Sequence, residues 1–389
     1  MNIVHIAPNS PYNEGWGYQD NLLPKYQAKL GHNVTLIITN REHSCGKIVS
    51  VEPIEYKSEN GFYVIRKKHV TIFNDTITAV LGKLDIYDTL KKLKPDYVFF
   101  HGLESVTIFQ VTKYKKKENP NLIIVQDNHA DFNLGYTWTD GIKPFLLCLK
   151  NKIVFQLNKK YVNKVFGVTP WRREYAEKVV GVPKTLSDVL IMGADDEKID
   201  FAAKNSFRTK IRNCYNIPMD KFLIITGGKI DAKKNIDKLM EVCAKRKDVH
   251  LLVFGEICDD VKEKVTRLAD KADNIDYIGW IKADNVYEYF FAADLAFFPG
   301  QHSVLWEQAC ASKIPAVFLR WDGMDHVNNG GNSSFIDSAS EENISTKIDE
   351  LVFTEKYYKM LEIATSSKTD IYLYSNIALN SLKVVEDRA

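Results

Sequence analysis

Residues Phe222–Lys245 read FLIITGGKIDAKKNIDKLMEVCAK: a short apolar run rich in β-branched residues, two glycines, a lysine-bearing turn and a helical pattern. The same step from strand through loop to helix recurs on both sides. Downstream, strand-like runs stand at His250–Phe254, Ile275–Ile278, Leu295–Phe298 and Ala316–Leu319. Upstream they stand at Ile3–Ala7, Asn33–Ile38, Tyr97–Phe100, Leu122–Gln126, Lys164–Val168 and Ser187–Met192. Short apolar runs separated by longer helical stretches mark parallel strands joined by crossover helices, so the class is α/β.

The polar segment from Asp195 to about Asp220 reads as a connector with one helix, after which the series starts afresh. At 389 residues, 45% of them hydrophobic, the chain is long enough for two domains, since a single core seldom grows past roughly 250–300 residues. The expected division is 1–195 and 196–375, followed by 376–389. In that last part the helical stretch Asn376–Asp387 has no strand left to serve and is expected to pack back on the first domain.

Fifty-two basic residues against 50 acidic leave a formal charge of +2, so no overall field draws the chain to nucleic acid. Cys45, Cys148, Cys214, Cys243, Cys258 and Cys310 lack the paired spacing of a zinc or redox motif and read as reduced, buried thiols. MNIVHIAP at Met1–Pro8 reads as a buried strand rather than a signal peptide. No apolar run nears the roughly 18 residues of a membrane span. A cytoplasmic protein is expected, at most peripheral to the inner face of a membrane.

Ligands of open α/β sheets sit beyond the carboxyl ends of the strands, where helix N-termini present free N–H groups. Three such loops carry candidates. Gly15, Trp16 and Gly17 lie in PNSPYNEGWGYQD (Pro8–Asp20); the glycines serve either a close ligand or a tight turn, and G-x-G-x-x-G is absent. Gly228, Lys229, Lys233 and Lys234 in TGGKIDAKKN suit a phosphate or form a solvated charge cluster, and this is no Walker A loop. In FPGQHSVLWEQACA (Phe298–Ala311), Glu307 falls on an apolar helix where a carboxylate needs hydrogen bonds. Ribose hydroxyls fit, and a helix-start or surface glutamate is the plain alternative. His101, after YVFF, and His129, in DNHAD (Asp127–Asp131), follow successive strands, whereas His43 and His69 read as surface positions.

In this order the pieces resemble the family four-like glycosyltransferases along nearly the whole chain. Gly31–Val34 matches the family's G-H-x-V; Pro95–Val98 with His101 resembles its P-D-V-x-x-x-H, and Asp127–Asp131 its T-x-H-D; Met192–Asp195 stands where N-G-V-D closes the first domain. Gly228, Lys229, Ile230 and Lys234 resemble G-R-L-x-x-x-K-G, Gly279 echoes G-x-V, and Ala293–Pro299 echoes A-D-L-x-x-x-P. Glu307 with Ala311–Pro315 matches the second half of E-x7-E, but Pro299 stands where the first glutamate belongs. Gly300, Gln301, His302 and Ser303 are left to supply that contact to the donor sugar.

The resemblance implies the GT-B architecture, two Rossmann-like domains with parallel sheets facing a central cleft. It also implies transfer from a nucleotide-diphosphate sugar with retention of configuration. On that likeness His129, Lys229 and Lys234 are catalytic, Lys229 and Lys234 hold the diphosphate, and Glu307 holds the ribose. Gly15, Gly17 and Gly228 line the donor, while Trp16, His101, Asp127 and Asn128 lie near the sugar or acceptor. A departing nucleotide diphosphate carries charge that a metal or fixed cations must stabilise. No D-x-D follows a strand, so Lys229, Lys234 and the helix N-terminus after Asn235 are the expected groups, and neither metal nor other cofactor is expected. The acceptor is expected to be a bacterial surface glycan or lipid-linked intermediate of polysaccharide biosynthesis, read by loops such as Asn128–Thr139.

An epimerase or phosphorylase shares the two-domain outline, and a two-lobed sugar-binding protein is the non-enzymatic alternative; a dehydrogenase lacks its fingerprint here. One segment is unevenly charged. Gly141–Arg173 holds eight lysines or arginines and no acidic residue, interleaved with apolar residues such as Phe145, Leu146, Ile153 and Leu157. Such a stretch either lies on an anionic bilayer or is a helix of the first domain with a solvated basic face.

Overall fold

The computed structural model describes residues 1–44, 47–133 and 136–386; Cys45, part of the Asn128–Thr139 loop and Asp387 lie outside them. The chain divides into two units, Met1–Ile191 with Ile377–Ala389, and Met192–Asn376.

In chain order the first unit contains β1 (Asn2–Ala7), α1 (Gln19–Lys29), β2 (Asn33–Thr39), β3 (Arg41–Ser44), β4 (Lys47–Ser50), β5 (Glu55–Lys57), β6 (Tyr63–Lys67), α2 (Asp75–Leu81), α3 (Tyr87–Leu93) and β7 (Tyr97–Phe100). It continues with α4 (Ile108–Lys117), β8 (Ile123–Asn128), α5 (Ile142–Asn158), β9 (Lys164–Gly167), α6 (Pro170–Tyr175) and β10 (Ser187–Val189). The main sheet runs β10-β9-β8-β7-β1-β2-β6-β5. It is parallel except at the β5 edge, and β3 and β4 pair separately as an antiparallel hairpin. Helices cover its inner strands, which explains their unbroken apolar reading. In β7 all four residues are buried, and Val4, Ile6, Val98, Phe100 and Ile124 share one core with Ile108, Val111 and Phe155 of the helices.

The second unit contains α7 (Lys204–Cys214), β11 (Phe222–Gly227), α8 (Ile236–Cys243), β12 (Val249–Phe254), α9 (Lys262–Lys271), β13 (Ile275–Tyr277), α10 (Val286–Ala292), β14 (Leu295–Phe298), α11 (Leu305–Ala311), β15 (Ala316–Leu319) and β16 (Ser333–Ile336), with α12 (Glu341–Asp349) and α13 (Glu355–Thr365) after them. Its parallel sheet runs β13-β12-β11-β14-β15-β16. The Ala293-Asp294-Leu295 element is a structural tie. Asp294 takes Arg208 on one oxygen and both Arg212 and the Leu223 N–H on the other, each at 2.7 Å. Arg212 is buried and donates further to the Ala292, Pro218 and Lys221 carbonyls, the dense hydrogen bonding that makes a buried ion pair tolerable.

Several expectations are corrected. β3–β5 and β16 carry short, mostly polar sequence and were not foreseen, and β6, which begins within the apolar run Phe62–Ile65, was not foreseen either. Gly141–Arg173 is not one helical stretch: α5 ends at Asn158, and β9 and the start of α6 follow. Met192–Asp195 belongs with the second unit, where the Ala194 N–H bonds the Tyr372 carbonyl and the Ala194 carbonyl takes the Tyr374 N–H. Cys148, Cys243 and Cys310 are buried, but Cys214 is exposed and Cys258 half-buried. The last helix, α14 (Tyr374–Glu386), is part of the first unit from Ile377 on; there Ser381 takes bonds from Gln27 and Tyr97. Among the described residues no helix is long and apolar enough to cross a membrane.

Candidate functional site

Each unit gathers titratable side chains at the carboxyl ends of its strands. In the first, β8 ends on Asp127, which is fully buried. Its Oδ2 takes His101 Nδ1 (2.9 Å) and His129 Nε2 (3.3 Å), and Oδ1 takes the Gly102 N–H (2.8 Å). Burial alone would raise the Asp127 pKa, but the two imidazoles hold it well below the usual carboxylate range. His101 is buried, whereas the His129 side chain is 45% exposed and is the accessible tip of the triad. Burial opposes charge on His101, yet the Asp127 carboxylate outweighs it and raises the His101 pKa.

Three partners escaped the sequence reading. His5 of β1 lies 3.1 Å from His101 Nε2 and 2.7 Å from Gln27 Oε1. Asp20, on the first turn of α1, is buried with Oδ1 lacking any partner; burial raises its pKa against the pull of His101 and His129. His5 lay inside an apolar strand and Gln27 inside a helix, and nothing in their spacing marks them. Asp20 closes the glycine loop Pro8–Asp20, and that place is a signal for it. The structure also reassigns other expected residues. Asn128 is buried and spends its amide on the Ala130 and Arg172 carbonyls, so it braces the loop. Trp16 stacks on His43 with ring centroids 5.3 Å apart. Gly15 has φ +79°, and a Cβ on either Gly15 or Gly17 would meet only open space. His69 is half-buried, with its Nε2 2.6 Å from the Pro8 carbonyl.

In the second unit, Gly228 (φ +111°) follows β11, and Lys229 beside it is exposed. Lys234 is drawn inward. Its Nζ donates to the Gln301 (2.6 Å) and His302 (3.2 Å) carbonyls, and burial pushes its ammonium down to about 8. Asn235, which donates to the Pro299 carbonyl, stands in the left-handed region before α8, and no side chain caps that helix. Gly300 lies so close to Lys234 that an added Cβ would fall 2.3 Å from its backbone. Gly255, unremarked in the sequence, is tighter still, with a Cβ 1.8 Å from the Gly228 carbonyl oxygen.

The Gly300–Ser303 loop leads into α11, where the Ser303 carbonyl takes the Trp306 N–H and Glu307 is fully buried. Glu307 Oε1 takes His302 Nε2 (2.8 Å) and His326 Nε2 (2.7 Å), while Oε2 is buried without a partner. Burial would raise the Glu307 pKa, but the His302 charge and the two hydrogen bonds hold it near 2. The His302 Nε2 is thereby engaged with Glu307. His326 sits in the turn after β15, a strand-end position that the sequence reading passed over. The donor atoms of each triad lie within 4.8 Å of one another and are of types that hold divalent ions. Their N···O separations are those of hydrogen bonds, and each triad is read as one.

The second unit's run of β11, glycine loop, α8 and the α11 carboxylate has a counterpart among known families. Residues 207–367 match glycosyl transferases group 1. Solved structures extend the likeness to the whole chain. Anabaena HepE in complex with UDP superposes with TM-score 0.68 at 14% identity, covering 100% of both chains. Sucrose-phosphate synthase of Thermosynechococcus elongatus gives 0.69 at 13%, covering 99% of this chain and 98% of that one. A structure described as a putative UDP-N-acetylglucosamine 2-epimerase of Listeria monocytogenes gives 0.58 at 14%, covering 99% and 96%. By sequence, no curated protein matches. These likenesses establish the fold: α/β, GT-B, with two Rossmann-like domains built on parallel sheets.

Proposed function

We propose that the chain is a glycosyltransferase that moves a sugar from a nucleotide-diphosphate donor, without metal and with retention of configuration. The observation that carries this reading is the second unit's pairing of Gly228, Lys229 and the uncapped start of α8 with a buried Glu307 whose Oε2 has no partner. An uncapped helix start offers N–H groups and a partial positive charge to a diphosphate, and a desolvated carboxylate oxygen is a strong acceptor for a ribose hydroxyl. Lys229 supplies mobile charge to the leaving group. Lys234 holds the Gly300–Ser303 loop in place, with His302 against Glu307. In the first unit His129, oriented by Asp127, is the group for an acceptor hydroxyl. The epimerase reading shares the fold and differs in needing no acceptor.

Thermal unfolding in the presence of nucleotide diphosphates and nucleotide sugars, with and without chelator, tests the donor site. UDP is the first to try because HepE was crystallised with it. Saturation at about 100 times the Kd raises stability by about 2.7 kcal/mol. A shift that chelator abolishes defeats metal independence, and no shift with any nucleotide defeats the donor site. A proton NMR spectrum of fresh product reads the anomeric configuration, and an inverted product removes retention.

We further propose that α5 lies on the anionic inner face of a membrane and brings the enzyme to a lipid-linked or surface-glycan acceptor. Ile142, Phe145, Leu146, Leu149, Ile153 and Leu157 are all exposed, Ile142 by 83% and Leu157 by 61%. At 100° per residue they fall within an arc of about 120°. The opposite face, with Cys148, Val154, Phe155 and Asn158, is the one buried. Lys143 and Lys152 flank the stripe, so apolar contact and attraction to acidic headgroups act together.

A further inference from the structure

A chain of buried hydrogen bonds runs from His101 to the C-terminal helix, and its direction is fixed at the far end. The Ala378 carbonyl can only accept, so the Ser381 hydroxyl donates to it (2.6 Å). Ser381 Oγ is then an acceptor for Gln27 Nε2 (2.9 Å). This turns Gln27 Oε1 toward His5, where it accepts from Nε2–H (2.7 Å). His5, Gln27 and Ser381 are each fully buried, and burial, with the His101 charge, holds the His5 pKa down to about 3. A neutral His5 protonated on Nε2 has a bare Nδ1. At 3.1 Å that nitrogen accepts from His101 Nε2–H, while His101 Nδ1–H donates to Asp127 (2.9 Å). Both ring nitrogens of His101 therefore carry protons.

We propose that this relay holds His101 as a standing imidazolium paired with Asp127, with His5 and Gln27 as positioning residues that fix its proton on Nε2. His129 shares Asp127 Oδ2 with His101. With the imidazolium in place the carboxylate is already offset, and His129, donating Nε2–H to it, keeps Nδ1 open to a sugar hydroxyl. The groups facing His101 are Asp20 of α1, His5 of β1, Asp127 of β8 and His129 just beyond it. Phe99 of β7 packs against both the His5 and His101 rings. Asp20 adds to the field that favours the charged ring.

The catalytic consequence rests on the transferase reading; the protonation state does not, and ring-nitrogen NMR of the full chain labelled with 15N-histidine measures it directly. His101→Gln assigns the signals. Wild-type His101 is expected to show two protonated nitrogens above the ordinary histidine pKa. In Gln27→Leu the His5 Nε2–H loses its acceptor, the proton moves to Nδ1, and His101 shows one bare nitrogen at the same pH. Gln27→Glu keeps an acceptor facing His5 and retains the doubly protonated ring. A bare nitrogen on wild-type His101, or an unchanged His101 in folded Gln27→Leu, overturns the proposal. Loss of all transfer by the wild type overturns only the functional reading.

Discussion

Replacing Glu307 with glutamine keeps the volume on α11 but removes the charge that His302 and His326 share. The fall in the Glu307 pKa from 4.5 to about 2 corresponds to about 3 kcal/mol of folded-state stability. The folded value is the lower one, so this stability is complete above the unfolded pKa and drains away as pH falls through the folded value. Glu307→Gln should therefore destabilise the second unit by about 3 kcal/mol at neutral pH, or roughly 6–12 °C in its calorimetric transition. Toward pH 3 the gap should shrink to about half or less. The same variant should weaken nucleotide binding about tenfold or more, the value of one charge-assisted hydrogen bond. A stability gap that is the same at neutral and acid pH would show that the carboxylate charge is not what holds the two histidines. Normal nucleotide affinity in a variant with the expected gap would leave Glu307 structural and remove it from the donor site.

Lys229→Ala should lower kcat by about 10²–10³-fold with an unchanged melting temperature, because the side chain is exposed; near-normal turnover removes Lys229 from the mechanism. Gly300→Ala should cost about 1–3 kcal/mol by driving a methyl into the Lys234 backbone, and urea titration reads it. The pair Leu146→Glu and Leu157→Glu should abolish flotation with anionic liposomes while shifting stability by about 0.5 kcal/mol or less each. Wild-type protein that floats with neither anionic nor neutral vesicles refutes the membrane contact.

The inner strands could be read because residues buried on both sides must be apolar throughout: Tyr97–Phe100, Leu295–Phe298 and Ala316–Leu319 have the expected bounds. β3, β4 and β16 could not, because their residues are partly exposed and polar, and hydrogen bonding to a neighbour rather than side-chain pattern makes them strands. Glu307, His101 and His129 stood out because a charged or titratable residue after an apolar strand or within an apolar helix is costly unless it has partners. The partners themselves did not. His5 lies 96 residues from His101, His326 lies 19 from Glu307, and Ser381 lies 354 from Gln27.

The sequence by itself determined the α/β class, the restart of the βα series and the loops that hold the chemistry, since these follow from periodicity and from the cost of burying polar groups along one stretch of chain. Only the tertiary structure decided that Lys234 braces a loop, that α5 presents its apolar stripe outward, and that His101 is protonated from the far end of a relay. Those depend on which distant donor meets which acceptor, and a hydrogen bond's direction is set by its whole network rather than by the residues on either side of it.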